Sequence, residues 1–132
     1  MSVVDHVAAG TADLDADVEF FTRAFGMRLL RRGVHLGLGS PIALLSAGGG
    51  MKLELIAVPE VPDHGVAHVA VRMADRDAIV AAVREIGPAR SALVIRIDAA
   101  SAHSAFVSSP GGIPVQLIAY DPDSVDLAGE RG

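Results

Sequence analysis

The residues of this chain best suited to chemistry are His6, Glu54, His68 and Gln116, because they form two pairs with one offset. His68 follows His6 by 62 residues, and Gln116 follows Glu54 by 62 residues. Two imidazoles, one carboxylate and an amide oxygen suit a borderline divalent ion: Zn²⁺, Ni²⁺, Co²⁺, Fe²⁺ or Mn²⁺. The chain has no Cys, so thiolate ligands, thiolate nucleophiles and disulfides are excluded. One carboxylate leaves such a complex at net +1, where two would give zero, so a bound water or carbonyl is more strongly polarised. The competing reading is two hydrogen-bonded histidines kept by duplication, with Glu54 and Gln116 as plain polar groups of a cleft.

The elements that position these residues come from the same repeat. VDHVA at 4–8 aligns with VAHVA at 66–70, ADLDADV at 12–18 with ADRDAIV at 74–80, SAGGG at 46–50 with SSPGG at 108–112, and LELIAV at 53–58 with VQLIAY at 115–120. Each half reads as a strand, a helix and three strands. Residues 3–9 alternate, with Val4, His6 and Ala8 on one face and Val3, Asp5 and Val7 on the other. Asp13 is a helix N-cap and Gly26 a helix end; between them Leu14, Val18, Phe21 and Phe25 lie on one face. Strands follow near 27–35, 41–47 and 51–58. In the second half, a strand at 66–72 leads to an N-cap at Asp75 and a helix with Ile79, Val83 and Ile86 on one stripe. Strands near 93–97, 103–108 and 113–120 complete it.

Alternation puts Glu54 on a face with Lys52 and Ile56, opposite Leu53 and Leu55, and sets Gln116 against Val115 and Leu117. All four candidate ligands therefore occupy the face turned away from the helices. The fold class is α+β: two tandem βαβββ modules forming a curved mixed sheet with a cleft and helices outside. Residues 1–132 are expected to be a single domain. Module one covers about 3–58, a stiff PEVPD connector 59–63, module two about 65–120, and a loose acidic tail 121–132. Whether the modules pair within one chain or across two is left open by the repeat.

Composition narrows the partners. The chain is 51% hydrophobic and 20% charged, with net charge −5. That balance, with no long basic run, argues against nucleic acid. No apolar run approaches the ~20 residues that span a bilayer, and no signal-like leader opens the sequence. A cytoplasmic protein without a membrane partner is the expectation. With no Trp, one Tyr and four Phe, a pocket would be lined mainly by aliphatic and small side chains.

Paired βαβββ modules, DHV opening the first strand, H-V-A opening the second module and SPGG-IPVQLIAY closing it resemble the vicinal oxygen chelate superfamily. That group includes glyoxalase I, methylmalonyl-CoA epimerase, extradiol dioxygenases, fosfomycin-resistance enzymes and bleomycin-binding proteins. The resemblance covers roughly residues 3–120. It implies metal ligands on the first and fourth strand of each module, positions held here by His6, Glu54, His68 and Gln116. It also implies one divalent metal ion as cofactor. One departure stands out: the last-strand position usually carries Glu in the catalytic families, and here it is Gln116.

The leading expectation is a metal-dependent isomerase, epimerase or lyase acting on a small oxygen-chelating substrate. The metal would stabilise an enolate, and Glu54 would be the catalytic base. A non-haem iron dioxygenase using His6, His68 and Glu54 is the second reading. A non-catalytic antibiotic-binding protein is the third, disfavoured by the scarcity of aromatic surfaces for stacking. Strand edges and apolar surface point to a homodimer. Further candidates for ligand contact are His35, His103 and the Arg31–Arg32 pair. His64 reads as solvated, and the GGG at 48–50 as a turn.

Overall fold

The computed structural model describes residues 3–59, 66–108, 110 and 114–128. Most of the connector with His64, and Gly111, Gly112 and Ile113 at the start of the strand expected near 113–120, lie outside the described residues.

The two halves fold alike. The first runs β1 (Val3–Thr11), α1 (Leu14–Phe25), β2 (Arg28–Val34), β3 (Pro41–Gly48) and β4 (Met51–Ala57). The second runs β5 (Val66–Arg72), α2 (Arg76–Ile86), β6 (Ile95–Ile97), β7 (Ala102–Ser108) and β8 (Pro114–Tyr120). Both helices start where the caps predict. The Asp13 and Asp75 carboxylates accept from the amides of Ala16 and Ala78, three residues on. Gly26 ends α1 in the left-handed region, φ 68°, and its amide bonds back to the Thr22 carbonyl.

The strands form one eight-stranded sheet in the order β2-β3-β4-β1-β5-β8-β7-β6. β1 and β5 pair antiparallel at its centre, and each has a parallel neighbour from its own half, β4 and β8. The two modules therefore join side by side within one chain, and the pseudo-twofold passes between β1 and β5.

Both helices cover one face. α1 sets Leu14, Val18 and Phe21 against Ala43, Leu45, Leu53 and Leu55, while Phe25, expected on the same face, is 63% exposed at the helix end. α2 sets Ile79, Val83 and Ile86 against Ala105, Val107, Leu117 and Ala119. The opposite, concave face carries two smaller clusters: Ala8, Ile42 and Ile56, and Ala70, Ala100, Ala102 and Ile118.

Two expectations need correction. The strand expected near 93–97 is reduced to the three residues of β6, preceded by a 3-10 turn at Pro88–Arg90 and an isolated bridge from Ser91 to Val107. The tail expected to be loose from Asp121 is docked over residues 121–128. Ser124 is fully buried with its hydroxyl donating to the Ala100 carbonyl, and Asp126 is only 3% exposed. Its acidity misled the reading: Asp126 is not solvated but is the bidentate partner of Arg31 on β2. This segment thus runs from the turn before β7 to the opposite edge of the sheet, where Arg28 also donates to the Ala128 carbonyl.

Candidate metal centre

His6 on β1, Glu54 on β4 and His68 on β5 each offer a donor atom to one cluster, with these atoms all within 4.8 Å of one another. The register explains the meeting: Ala8 sits opposite Glu54 on one side and His68 on the other, and His6 lies one side-chain step along the same face. His6 Nε2 is 3.1 Å from His68 Nε2 and 3.4 Å from Glu54 Oε2. Two imidazole nitrogens this close cannot both present lone pairs unless a proton or a cation lies between them. The donor chemistry and spacing therefore fit a divalent ion held by His6, His68 and Glu54.

Burial favours the ligating form of His68 and works against that of Glu54. Burial, followed by the neighbouring His6, lowers the His68 pKa from 6.5 to about 4, so that ring is neutral at physiological pH. Burial raises the Glu54 carboxyl above its ordinary value, against the pull of His6, His35 and Arg31. The Phe106 ring stands edge-on to His68, with centroids 5.3 Å apart, and walls the module-two side.

Gln116 lies where the repeat places it, buried on the concave face at 5% exposure. Its amide Nε2 donates to the Ser104 hydroxyl at 3.0 Å, and it also hydrogen-bonds His68. The amide is thus tethered beside the second imidazole.

The sequence reading missed Asp5. Alternation assigned it to the face opposite His6. The β1–β5 register shifts between Val4 and His6, so Asp5 is the extra residue of a bulge and its carboxylate joins the concave side. Asp5 is fully buried, and its Oδ2 lies 2.7 Å from His6 Nδ1. It also accepts from the Tyr120 hydroxyl at 2.6 Å and pairs with Lys52 at 2.9 Å and Arg72 at 2.7 Å. Burial alone would raise its pKa, but His6, Lys52, Tyr120 and Arg72 hold it well below the usual carboxylate range. One signal was available: an Asp in a central strand, with only Ala67 at the matching position of the second half, demands buried partners. Ser104 was missed as well, and its repeat counterpart Ile42 gives no hint of it.

The remaining candidates separate. Arg31 faces the concave side, close enough to Glu54 to act on its charge, but is committed to Asp126. Arg32 pairs with the exposed Asp15. The His35 Nδ1 accepts from the amides of Gly37 and Leu38, capping the β2–β3 turn. His103 alternates with Ala105 and Val107 onto the helix-covered face, beside Arg96, away from the centre. The three glycines 48–50 all have positive φ and form the β3–β4 turn.

A doubled βαβββ sheet with an imidazole–carboxylate cluster on its central strands defines a class of scaffold. Comparison with known proteins makes the assignment specific. The chain belongs to the Glyoxalase/Bleomycin resistance protein/Dioxygenase superfamily, whose sequence profile matches residues 3–128. It is 30% identical to a probable lactoylglutathione lyase of Vibrio cholerae, over 86% of this chain and 87% of that protein. The structure is similar to methylmalonyl-CoA epimerase from Mycobacterium tuberculosis, with TM-score 0.74 and 26% identity over 90% of this chain and 88% of that one. It is also similar to a single-substitution variant of Streptomyces coelicolor methylmalonyl-CoA epimerase in complex with 2-nitronate-propionyl-CoA, with TM-score 0.72 and 26% identity, covering 92% and 96% of the two chains.

Proposed function

We propose that this protein is a metal-dependent isomerase or lyase of the glyoxalase type, with His6, His68 and Glu54 holding one divalent ion and Gln116 beside it. The observation that carries this reading is the convergence of three donor atoms from β1, β4 and β5 within 4.8 Å. A divalent ion bound there supplies Lewis acidity toward oxygens of a chelating substrate. Glu54, the carboxylate of the cluster, serves as the base. Gln116 cannot take a proton; tethered to Ser104 and His68, it orients ligand and imidazole.

The number of proton-moving groups separates the chemistries named by the relatives. A proton shift between neighbouring carbons on one face of a substrate needs one base, which Glu54 provides. Epimerisation removes a proton from one face and delivers another to the opposite face, and so needs a second group. The single carboxylate therefore favours lactoylglutathione-lyase-type over epimerase-type turnover. Incubating metal-loaded protein in D₂O with lactoylglutathione and, separately, methylmalonyl-CoA tests this directly. Deuterium entering lactoylglutathione, and lost in Glu54→Gln, supports the reading; exchange in neither substrate counts against it.

A second reading rests on the same triad, since two His and one carboxylate also suit Fe²⁺ with open positions for substrate and O₂. Oxygen uptake dependent on Fe²⁺ and an aromatic diol would favour it over the isomerase.

A further inference from the structure

We propose that Asp5 is a positioning residue of the candidate centre: through the bulge in β1 it holds the His6 ring with its proton on Nδ1 and its Nε2 lone pair turned toward the ion. The inference rests on the reading of His6 as a ligand, but it assigns a role to a residue that neither the repeat nor alternation marks.

The geometry leaves little choice of proton position. A carboxylate is an acceptor only, so the 2.7 Å contact between Asp5 Oδ2 and His6 Nδ1 requires the hydrogen to be on Nδ1. A neutral ring protonated there presents its lone pair at Nε2, the atom that faces His68 and Glu54. Asp5 is itself fixed from three further directions, by Lys52, Arg72 and the Tyr120 hydroxyl, and is fully buried. Lys52 in turn donates to the Asp126 carbonyl at 3.1 Å, so the anchor extends into the docked C-terminal segment.

Two cations beside one carboxylate more than offset its charge, so the effect of Asp5 on His6 is chiefly orientation. The second imidazole is set differently. The residue before His68 is Ala67, and the His68 ring is held by Gln116 and Phe106 instead. The doubled site is thus asymmetric, with the His6 side carrying the stiffer support.

Asp5→Asn is the direct test, because it keeps the shape while removing two acceptor positions. Either orientation of the amide sets its NH₂ against donors, Lys52 and Arg72 on one side or His6 and Tyr120 on the other. Calorimetric titration of metal-free protein with Zn²⁺ should show Asp5→Asn binding about 10–100-fold more weakly than the unaltered chain. Long-range ¹H–¹⁵N spectra of the unaltered metal-free protein should show His6 as the Nδ1–H tautomer. Equal Zn²⁺ affinity in the two proteins, or a His6 proton on Nε2, overturns the assignment. Should Asp5→Asn fail to fold, the ring tautomer alone decides. An unaltered protein that binds no Zn²⁺ refutes the metal reading instead, and the tautomer still reports on Asp5.

Discussion

Among single residues, the spacing of like residues was the readable signal. One offset brought His6 to His68 and Glu54 to Gln116, and the structure places all four on one face around the β1–β5 pair. The face of Asp5 was unreadable because it depends on a one-residue bulge, and a bulge reverses the face that alternation assigns. The transposed carboxylate gives a sharp expectation. Glu54→Gln should abolish turnover while a weakly held ion remains, whereas Gln116→Glu should be tolerated, because the repeat places it symmetrically. An active Glu54→Gln beside an inactive, folded, metal-holding Gln116→Ala would place function on the amide side.

His68 sets a pH dependence. Its folded value of about 4 lies below its ordinary 6.5, so above pH 6.5 the ring is neutral in both states and carries no penalty. As pH falls from 6.5 toward 4, the unfolded chain takes up a proton that the folded chain refuses. Metal-free stability should then fall by up to about 1.4 kcal/mol per pH unit. Glu54, raised in the folded state, works in the opposite sense. Thermal melts of the unaltered protein and His68→Asn across this window isolate the His68 share, since Glu54 is common to both. Parallel profiles would contradict the assignment.

At the scale of elements, caps and stripes were legible because they depend on local chemistry: Asp13, Asp75 and Gly26 end the helices where expected. Ile79 is fully buried at the centre of the α2 contact. Ile79→Ala should cost about 2–5 kcal/mol in a denaturant melt, with the spacing of the metal ligands unchanged. The tail was misread because composition cannot show that an acidic side chain meets a buried arginine 95 residues away in sequence. Asp126→Ala leaves the Arg31 guanidinium, 16% exposed, without its carboxylate. It should destabilise by about 1–3 kcal/mol, and a melt unchanged from the unaltered protein would show the docked segment to be energetically idle.

For the molecule as a whole, the doubled fold was readable in outline because a repeat of this length implies two copies of one supersecondary unit. Whether the copies pair within a chain was not, since the same β1–β5 contact forms either way; here it forms within one chain. Among the described residues no helix is long and apolar enough to cross a membrane. Exposed apolar side chains remain on α1, at Phe20 and Phe25, and near the short edge strand, at Leu93 and Ile95. We expect a homodimer that covers part of this surface. Sedimentation at micromolar concentration should give twice the chain mass, and a monomer would remove that expectation.

The most direct test of the central claim is the metal content of protein purified without chelator or affinity metal, measured for the unaltered chain and for His68→Ala. About one divalent ion per chain is expected in the first, after supplementation with Zn²⁺ or Fe²⁺ and desalting. A large loss is expected in the second, with the circular dichroism spectrum unchanged. Full occupancy in a folded His68→Ala, or an empty unaltered protein after supplementation, would contradict it.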